Sequence, residues 1–144
     1  MFFGEYEHTI DDKNRLTLPA RFRDAFADGV VLTRGLDQCL DAFPRADWDA
    51  VVADKLAPLD PFSKEHRDLR RFFFSAASVA EVDKQGRVLL PPTLMKHAGL
   101  GREVTVAGVH DRLEIWDRAA WNANVTKVEG SADDVAERLA QNRV

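Results

Sequence analysis

The sequence predicts an α+β protein built from two tandem copies of one small unit. Two observations support this class. The chain repeats part of itself once, and each half alternates short apolar segments with short helical ones. With 45% hydrophobic and 31% charged residues over 144 positions, the chain has enough apolar surface for a packed core. Because a unit of about 70 residues is marginal alone, we expect the two copies to share a core or to assemble further.

The repeat is visible in two separate segments. Residues Ile10 to Pro19 align with Val82 to Pro91, and each segment contains an apolar residue, an Asp, three variable positions, an Arg, an apolar run and a Pro. A later segment aligns with its register shifted by one residue and places Trp48 over Trp121. Two ordered matches of this kind indicate an internal duplication.

Each half is predicted to contain the same series of elements. A strand leads into the Asp-x-x-x-Arg element, where Asn14 or Gly86 marks a tight turn because both residue types enter left-handed backbone conformations readily. A short apolar strand and a helix that starts after a proline follow. A strand pair and a closing helix, which carries Trp48 or Trp121, complete each half. The predicted strands after the turns are 16–18 and 88–90, the short helices are 20–26 and 92–98, and the strand pairs are 30–33 with 40–43 and 103–107 with 112–116.

The boundaries between these units follow from the same patterns. We predict a first domain over 1–55, a linker with a helix over 56–71, a second domain over 72–128 and a C-terminal tail over 129–144. Ser63 is a plausible N-cap for the linker helix, which is expected to end near Arg71. Phe72 to Phe74 are expected to open the first strand of the second domain. The tail is predicted to form a short amphipathic helix capped by Ser131.

Charge is distributed unevenly along the chain. The net charge of -4 and the pI near 5.5 do not by themselves indicate nucleic-acid binding. Two windows at equivalent places in the repeats, 13–23 and 84–102, nevertheless contain four basic residues each and no acidic ones. A phosphate backbone responds to local charge within about 10 Å, so such patches permit DNA binding by an acidic protein.

Both basic windows flank a predicted turn between strands, and a two-stranded ribbon fits the major groove of DNA. Arg15 and Arg87 are the candidate contacts to guanine edges or phosphates, since a guanidinium binds both in a bidentate manner. Lys13 and Lys84 would add attraction to phosphates. The alternative is that each arginine only closes its turn. We assign that turn-stabilising role to the aspartates, Asp11 and Asp83.

Other functional classes find little support in the sequence. No nucleophile elbow or glycine-rich phosphate loop is present, the four histidines lack metal-site spacing, and Cys39 is the single cysteine. We therefore predict no enzyme activity, no cofactor and no metal site. The competing readings are a protein-interaction scaffold that binds an acidic or toxin-like partner, and a small hydrolase that would need a polar pocket. The linker helix carries a basic face that is either solvated or lies between subunits, formed by Lys64, Arg67, Arg70 and Arg71.

Taken together, these motifs resemble the MraZ family. The resemblance rests on the paired Asp-x-x-x-Arg elements, the run from Asp83 to Pro91, the segment from Gly108 to Trp116 and the linker sequence from Asp68 to Phe72. It extends from Met1 to about Val128, whereas the tail is not characteristic. The sequence departs from the family at Asn14, where the family usually has Gly, although Asn also tolerates a left-handed turn.

The resemblance implies two AbrB-like domains, each with a swapped hairpin, that form a pseudo-twofold, β-barrel-like core with short helices. It also implies a ring-shaped homo-oligomer of about eight subunits that represses its own division and cell-wall gene cluster through repeated promoter boxes. It places the family signature on Asp11 and Arg15 and on Asp83 and Arg87, and it favours Lys13 and Arg15 of the first repeat for DNA contact. The residues predicted to bind DNA are Lys13, Asn14, Arg15, Lys84 and Arg87. Double-stranded DNA and other copies of the chain are the expected partners. The expected location is the cytoplasm, in association with the nucleoid and without membrane attachment.

Overall fold

A computed structural model of the chain describes residues 1–142 and shows, over that range, eight strands and four α-helices. The strands are β1 (Phe2–Thr9), β2 (Arg15–Thr17), β3 (Val30–Arg34), β4 (Leu40–Pro44), β5 (Ser78–Ala80), β6 (Arg87–Leu89), β7 (Glu103–His110) and β8 (Leu113–Asp117). The helices are α1 (Trp48–Leu56), α2 (Lys64–Phe74), α3 (Pro92–Ala98) and α4 (Arg118–Gln141). Two 3₁₀ segments, Ala20–Phe26 and Arg45–Asp47, complete the regular structure of this part of the chain.

The strands form two antiparallel sheets that mix the repeats. The larger sheet has the order β1-β7-β8-β4-β3-β5, and the smaller one pairs β2 with β6. The first strand of each repeat therefore pairs with a hairpin of the other repeat, β1 with β7 and β5 with β3. Between residues 1 and 142, the edge strands β1 and β5 do not pair with each other, and closure of the sheet into a barrel is not detected.

One hydrophobic core serves both repeats. Its buried members include Leu16 and Phe26 from the first repeat and Val88 and Leu113 from the second, in a single cluster of contacting side chains. Burial of each such side chain contributes about 1.5–3 kcal/mol. Because the cluster spans the repeats, each half depends on the other for part of its buried apolar surface.

The centre of the large sheet joins the two halves. There β4 pairs with β8, in a register that sets Leu40 opposite Ile115, Asp41 opposite Glu114 and Ala42 opposite Leu113. Asp41 and Glu114, which hold corresponding positions in the two repeats, thus face each other across this pairing, which we call the seam.

The predicted mixed α/β fold of two repeats is found. The helix over 92–98 is present with the predicted bounds, and Gly99 ends it with a left-handed φ of 61°. The predicted strand pairs are present, and their ends differ from the predicted ones by at most three residues. The helix predicted over 20–26 is a 3₁₀ helix, and its first turn is closed by the bond from the Phe22 N–H to the Pro19 carbonyl.

Two predictions for the linker and the tail are wrong. Phe72 to Phe74 do not open a strand but form the last turn of α2, which Ser63 caps as predicted. The Phe74 ring packs edge-on against Trp48, 6.1 Å between ring centroids, and this contact favours the longer helix. Ser131 caps no new helix, because α4 runs through it without a break and its hydroxyl donates to the Lys127 carbonyl. No helix among residues 1–142 combines the length and the apolar character needed to cross a bilayer.

Candidate nucleic-acid interface

The two Asp-x-x-x-Arg turns have the same hydrogen-bond geometry. In the first, one oxygen of the Asp11 carboxylate (Oδ1) accepts the backbone N–H groups of Lys13 at 2.9 Å and Arg15 at 2.8 Å. The other oxygen (Oδ2) accepts the Arg15 Nε–H at 2.7 Å. In the second turn, Asp83 accepts from the N–H groups of Gln85 and Arg87 and from the Arg87 Nε–H at the same three distances. Each aspartate thus holds both its turn and the arginine that follows.

Both turns require a left-handed residue at the fourth position. Asn14 has φ 60° and Gly86 has φ 78°, as the residue types indicated. The turns close through bonds from the N–H groups at this position to the aspartate carbonyls, 3.0 Å for Asn14 to Asp11 and 2.9 Å for Gly86 to Asp83. The departure from glycine at Asn14 leaves the turn geometry unchanged.

Each turn is also bonded to the strand of the other repeat. The Leu18 N–H donates to the Gly86 carbonyl and the Leu90 N–H donates to the Asn14 carbonyl, both at 2.8 Å. The two turns therefore bracket the β2–β6 sheet at its two ends. The sequence pattern alone predicts a separate ribbon within each repeat, and this prediction is wrong. The ribbon instead takes one strand from each repeat, because β2 and β6 bury Leu16 and Val88 side by side in the shared core.

This two-stranded ribbon presents both arginines on one face. Leu16 and Val88 point inward, so the alternation of strand side chains turns Arg15, Thr17, Arg87 and Leu89 outward. Arg15 lies opposite Leu89, and Arg87 lies opposite Thr17. The two arginines are therefore diagonal neighbours, which in an antiparallel pair are about 7–8 Å apart.

The arginines are held but still reach solvent. Their side chains are 29% exposed for Arg15 and 28% exposed for Arg87. Each guanidinium uses Nε for its aspartate, which leaves the terminal amino groups without a hydrogen-bond partner among residues 1–142. Those amino groups form the edge that would bind an anion or a base. The aspartate contact thus orients the arginine and does not bury it.

The pKa of both turn aspartates is lowered. The Arg15 backbone N–H, then the Arg15 side chain and the Lys13 N–H, hold the pKa of Asp11 below its ordinary value against a smaller effect of burial. The Arg87 backbone N–H has the corresponding effect on the pKa of Asp83. Both carboxylates are therefore ionised at neutral pH and retain their hold on the arginines.

Lys13 and Lys84 are exposed within the turns, and a further arginine joins the second one. Arg23 donates from Nε to the Leu18 carbonyl at 3.3 Å, and its guanidinium lies over Gly86, where an added Cβ would meet Arg23 Nε at 2.3 Å. Arg23 falls within the basic window 13–23, but sequence spacing gave no sign that it reaches the other repeat's turn. Arg21 lies elsewhere, since it bonds the Tyr6 hydroxyl and stacks on Phe3.

A second polar cluster, which the sequence analysis missed, lies at the seam. The Arg112 guanidinium contacts Glu114 at 3.0 Å and lies 3.2 Å from Asp41, the latter without hydrogen-bond geometry. Burial, only partly offset by Arg112, raises the pKa of Asp41 to about 6. Cys39 is buried beside it, and burial followed by the charge of Glu114 raises the pKa of its thiol.

The donor atoms of Cys39, Asp41 and Glu114 lie within 4.8 Å of one another, a spacing that could hold a metal ion. Arg112 already brings a positive charge to both carboxylates, so a cation would meet repulsion there. A thiol with a raised pKa is also a poor ligand, because metals bind the thiolate. The cluster is better described as an ionic tie between the repeats.

The fold and the paired turns define a class of protein: a two-repeat α+β chain that displays matched arginines on a ribbon shared by its repeats. The family model of the MraZ protein, whose description adds the term antitoxin-like, matches residues 1–72 and again 73–143. The chain belongs to the MraZ family, and the two matches confirm the duplication.

Full-length relatives agree with this assignment. The chain is 46% identical over 143 residues to a protein named transcriptional regulator MraZ from Roseiflexus castenholzii, with 99% of both chains covered. A protein of the same name from Thermomicrobium roseum is 46% identical, with 97% of this chain and 98% of the relative covered. A third, from Ligilactobacillus salivarius, is 44% identical over 96% of both chains. The names describe a regulator of transcription and not an enzyme, in agreement with the sequence analysis.

Proposed function

We propose that this protein is a sequence-specific DNA-binding transcriptional regulator that reads the major groove with the β2–β6 ribbon. The observation that carries the proposal is the pair of aspartate-oriented arginines on the outer face of that ribbon. A two-stranded ribbon fits the major groove, and an arginine with free terminal amino groups can bind a guanine edge or a phosphate. The neighbouring phosphates of the DNA backbone would be contacted by Lys13, Asn14 and Lys84.

The finer architecture belongs to the same proposal. We infer a pair of AbrB-like domains in which each repeat contributes a swapped hairpin, β1 with β2 and β5 with β6. The pairing of β1 with β7, β5 with β3 and β2 with β6 across the repeats supports this arrangement. In this arrangement the ribbon would form only when both repeats are folded together.

Assembly would supply the affinity that one ribbon lacks. A few phosphate contacts bind weakly and are lost as salt rises. We propose a ring-shaped homo-oligomer, of about eight subunits, that engages repeated boxes in the promoter of its own gene cluster and represses it. Several linked contacts would then raise the overall affinity by about 10²- to 10⁴-fold without any new type of contact.

A mobility-shift assay with DNA from upstream of the protein's own gene tests the proposal. Arg15→Ala should lower the affinity by about 10- to 100-fold, since one bidentate base contact is worth about 1–3 kcal/mol. Arg21→Ala is the matched control, because Arg21 lies in the same basic window but packs against Phe3 and Tyr6. It should bind as the wild type does. If Arg15→Ala bound the DNA as tightly as the wild type, the ribbon would not be the DNA-binding surface.

The competing function is a scaffold that binds a partner protein through the same fold. It predicts that unrelated and upstream duplexes are retained equally weakly at all salt concentrations. A DNA-binding regulator should instead show a linear fall of log affinity with log salt, with a slope of about -0.9 for each phosphate contact.

A further inference from the structure

Helix α4 carries an apolar stripe that nothing in residues 1–142 covers. The helix has 24 residues and is about 36 Å long, and from Thr126 to its end at Gln141 every residue except the half-buried Ser131 is exposed. Val128, Ala132, Val135 and Leu139 follow one another at spacings of four, three and four residues, which places them on one side. Val128 is 51% exposed and Leu139 63%. Because an unpacked segment of this length is marginal as a helix in water, we expect the stripe to be covered in the assembled protein.

The repeat indicates what kind of element covers it. In the first repeat, the equivalent helix α1 packs its Trp48 side against α2, with Trp48 contacting Phe74. In the second repeat, Trp121 and Val125 occupy the positions of Trp48 and Val52, but α4 continues outward and no helix follows it within the described residues. The side of α4 that begins at Trp121 thus lacks the helix that its counterpart has.

A complementary surface lies on the first repeat. A groove between α1 and α2 is lined by the apolar side chains of Trp48, Val52, Leu56 and Phe74. Arg70 and Arg71 line the same groove from α2, and both are exposed; Asp49 also lines it, from α1. We call this surface the α1–α2 groove. It combines an apolar floor with a predominantly basic edge.

The charges on α4 match that edge. Glu129 and Asp133, four residues apart, lie along one flank of the apolar stripe. A helix with an apolar stripe and an acidic flank fits a groove with an apolar floor and a basic edge, by the mode in which amphipathic helices bind grooves. Complementary charge would also fix the direction in which the helix lies.

We propose that α4 of one copy of this chain docks in the α1–α2 groove of a second copy. This rests on the proposed self-assembly and names the two surfaces that would carry it. Because the two surfaces differ, the contact is heterologous, and repetition of it generates a closed ring or an open filament. Pairing of two α4 stripes is disfavoured, since two heptads are short for an independent coiled coil and both helices carry the same acidic flank.

Light scattering coupled to size exclusion, on the full chain over a range of concentrations, tests the apolar part of the contact. Val135→Glu with Leu139→Glu should raise the concentration of half-assembly at least about tenfold, because charges on the stripe would be buried unpaired. Gly130→Glu is the matched control. It adds one such charge instead of two, on the opposite side of α4, where nothing lies within 4 Å of an added Cβ, and should leave the mass unchanged.

A charge exchange tests the assignment of the groove. Arg70→Glu with Arg71→Glu should weaken assembly, as should Glu129→Arg with Asp133→Arg, and the four changes combined should restore it. Loss of assembly with the apolar variant but no restoration by the exchange would overturn the choice of groove. Loss of DNA binding without loss of mass in Arg70→Glu with Arg71→Glu would show that α2 contacts DNA, and would also overturn it.

Failure of this inference is distinguishable from failure of the proposed assembly. A wild-type chain that is monomeric at every concentration would remove both. A wild-type oligomer whose mass is unchanged by Val135→Glu with Leu139→Glu would remove only the α4 contact, and other surfaces would then hold the subunits together.

Discussion

The first and second Asp-x-x-x-Arg turns share one set of internal bonds but differ on their outside. The aspartate, the left-handed residue and the arginine make equal contacts in both. The first turn has two acidic and two basic residues over 11–15, a net charge of zero, whereas the second has one acidic and two basic residues over 83–87, a net charge of +1. Arg23 lies over the second turn, while its counterpart at an offset of 72 residues is Met95.

This difference distinguishes the residues that hold each turn in shape from the residues that are free to bind DNA. The internal bonds of the two turns are alike, whereas their exposed positions carry different residues. The family resemblance favours the first turn for DNA contact, but local charge favours the second. Because the ribbon places Arg15 and Arg87 on one face, we expect both to take part.

Removal of each ribbon arginine tests most directly whether the two turns contribute equally to DNA binding. Arg87→Ala should weaken binding to the upstream DNA by about 10- to 100-fold, as Arg15→Ala does, and the double variant should lose specific binding. Gel-shift titration at fixed salt measures this, with thermal unfolding as the check on folding. An Arg87→Ala protein with unaltered affinity would assign DNA contact to the first turn alone.

The stability of the turns and that of the seam should depend on pH in opposite directions. The pKa of Asp41 is raised in the folded protein, so its burial costs stability above pH 6, and this cost is relieved as the pH falls from 6 towards 4. The wild type should therefore gain about 2 kcal/mol over Asp41→Asn between pH 7 and pH 4. Denaturant unfolding at several pH values measures the difference.

Asp11→Asn should change the pH dependence of stability in the opposite direction. Because the folded-state pKa of Asp11 is lowered, its contribution to stability is present above its ordinary value of 3.8 and is lost as the pH falls below it. The wild type should lose its advantage over Asp11→Asn in that range. A parallel course for the two variants would contradict the assigned environments.

Substitution at the left-handed positions tests how alike the turns are inside. Gly86→Ala should cost about 1–2 kcal/mol, because alanine disfavours φ 78° and its Cβ would displace the Arg23 guanidinium. Asn14→Gly should change stability by less than about 1 kcal/mol, since both residues adopt this conformation. The midpoints of chemical unfolding of the two variants and the wild type measure these costs. Equal effects at both sites would mean that the second turn is no more restrictive of a side chain than the first.

The smallest expected effect concerns the outward residues beside the arginines. Leu89 is 60% exposed on the ribbon face, at the position that Thr17 holds in the first repeat. An apolar side chain there could contact a thymine methyl group. Leu89→Thr should lower affinity for the preferred duplex only about two- to fivefold and leave non-specific binding unchanged. A fall in both affinities by the same factor would indicate a general disturbance of the ribbon.

The sequence predicted the repeat, both turns and most of the strands, because these depend on local periodicity and on residues such as Gly86 and Pro91. It did not predict that β2 pairs with β6, since a strand of three residues carries no signal for its partner. Phe72 to Phe74 were misassigned because an apolar run suits a strand or a buried helix end equally, and contact with Trp48 decides between them. The seam cluster depends on the register of β4 and β8, and one sequence does not reveal it.

The unequal outer faces of the shared ribbon have a consequence for the DNA it would read. A dimer of identical units imposes its twofold axis on its target and favours a palindrome. Here covalent fusion has released the two halves from that constraint, so Thr17 and Leu89, or Lys13 and Gln85, differ at symmetry-related places. Each subunit would therefore have a polarity along the duplex. Boxes that all point the same way, as direct repeats do, suit such a reader better than inverted ones.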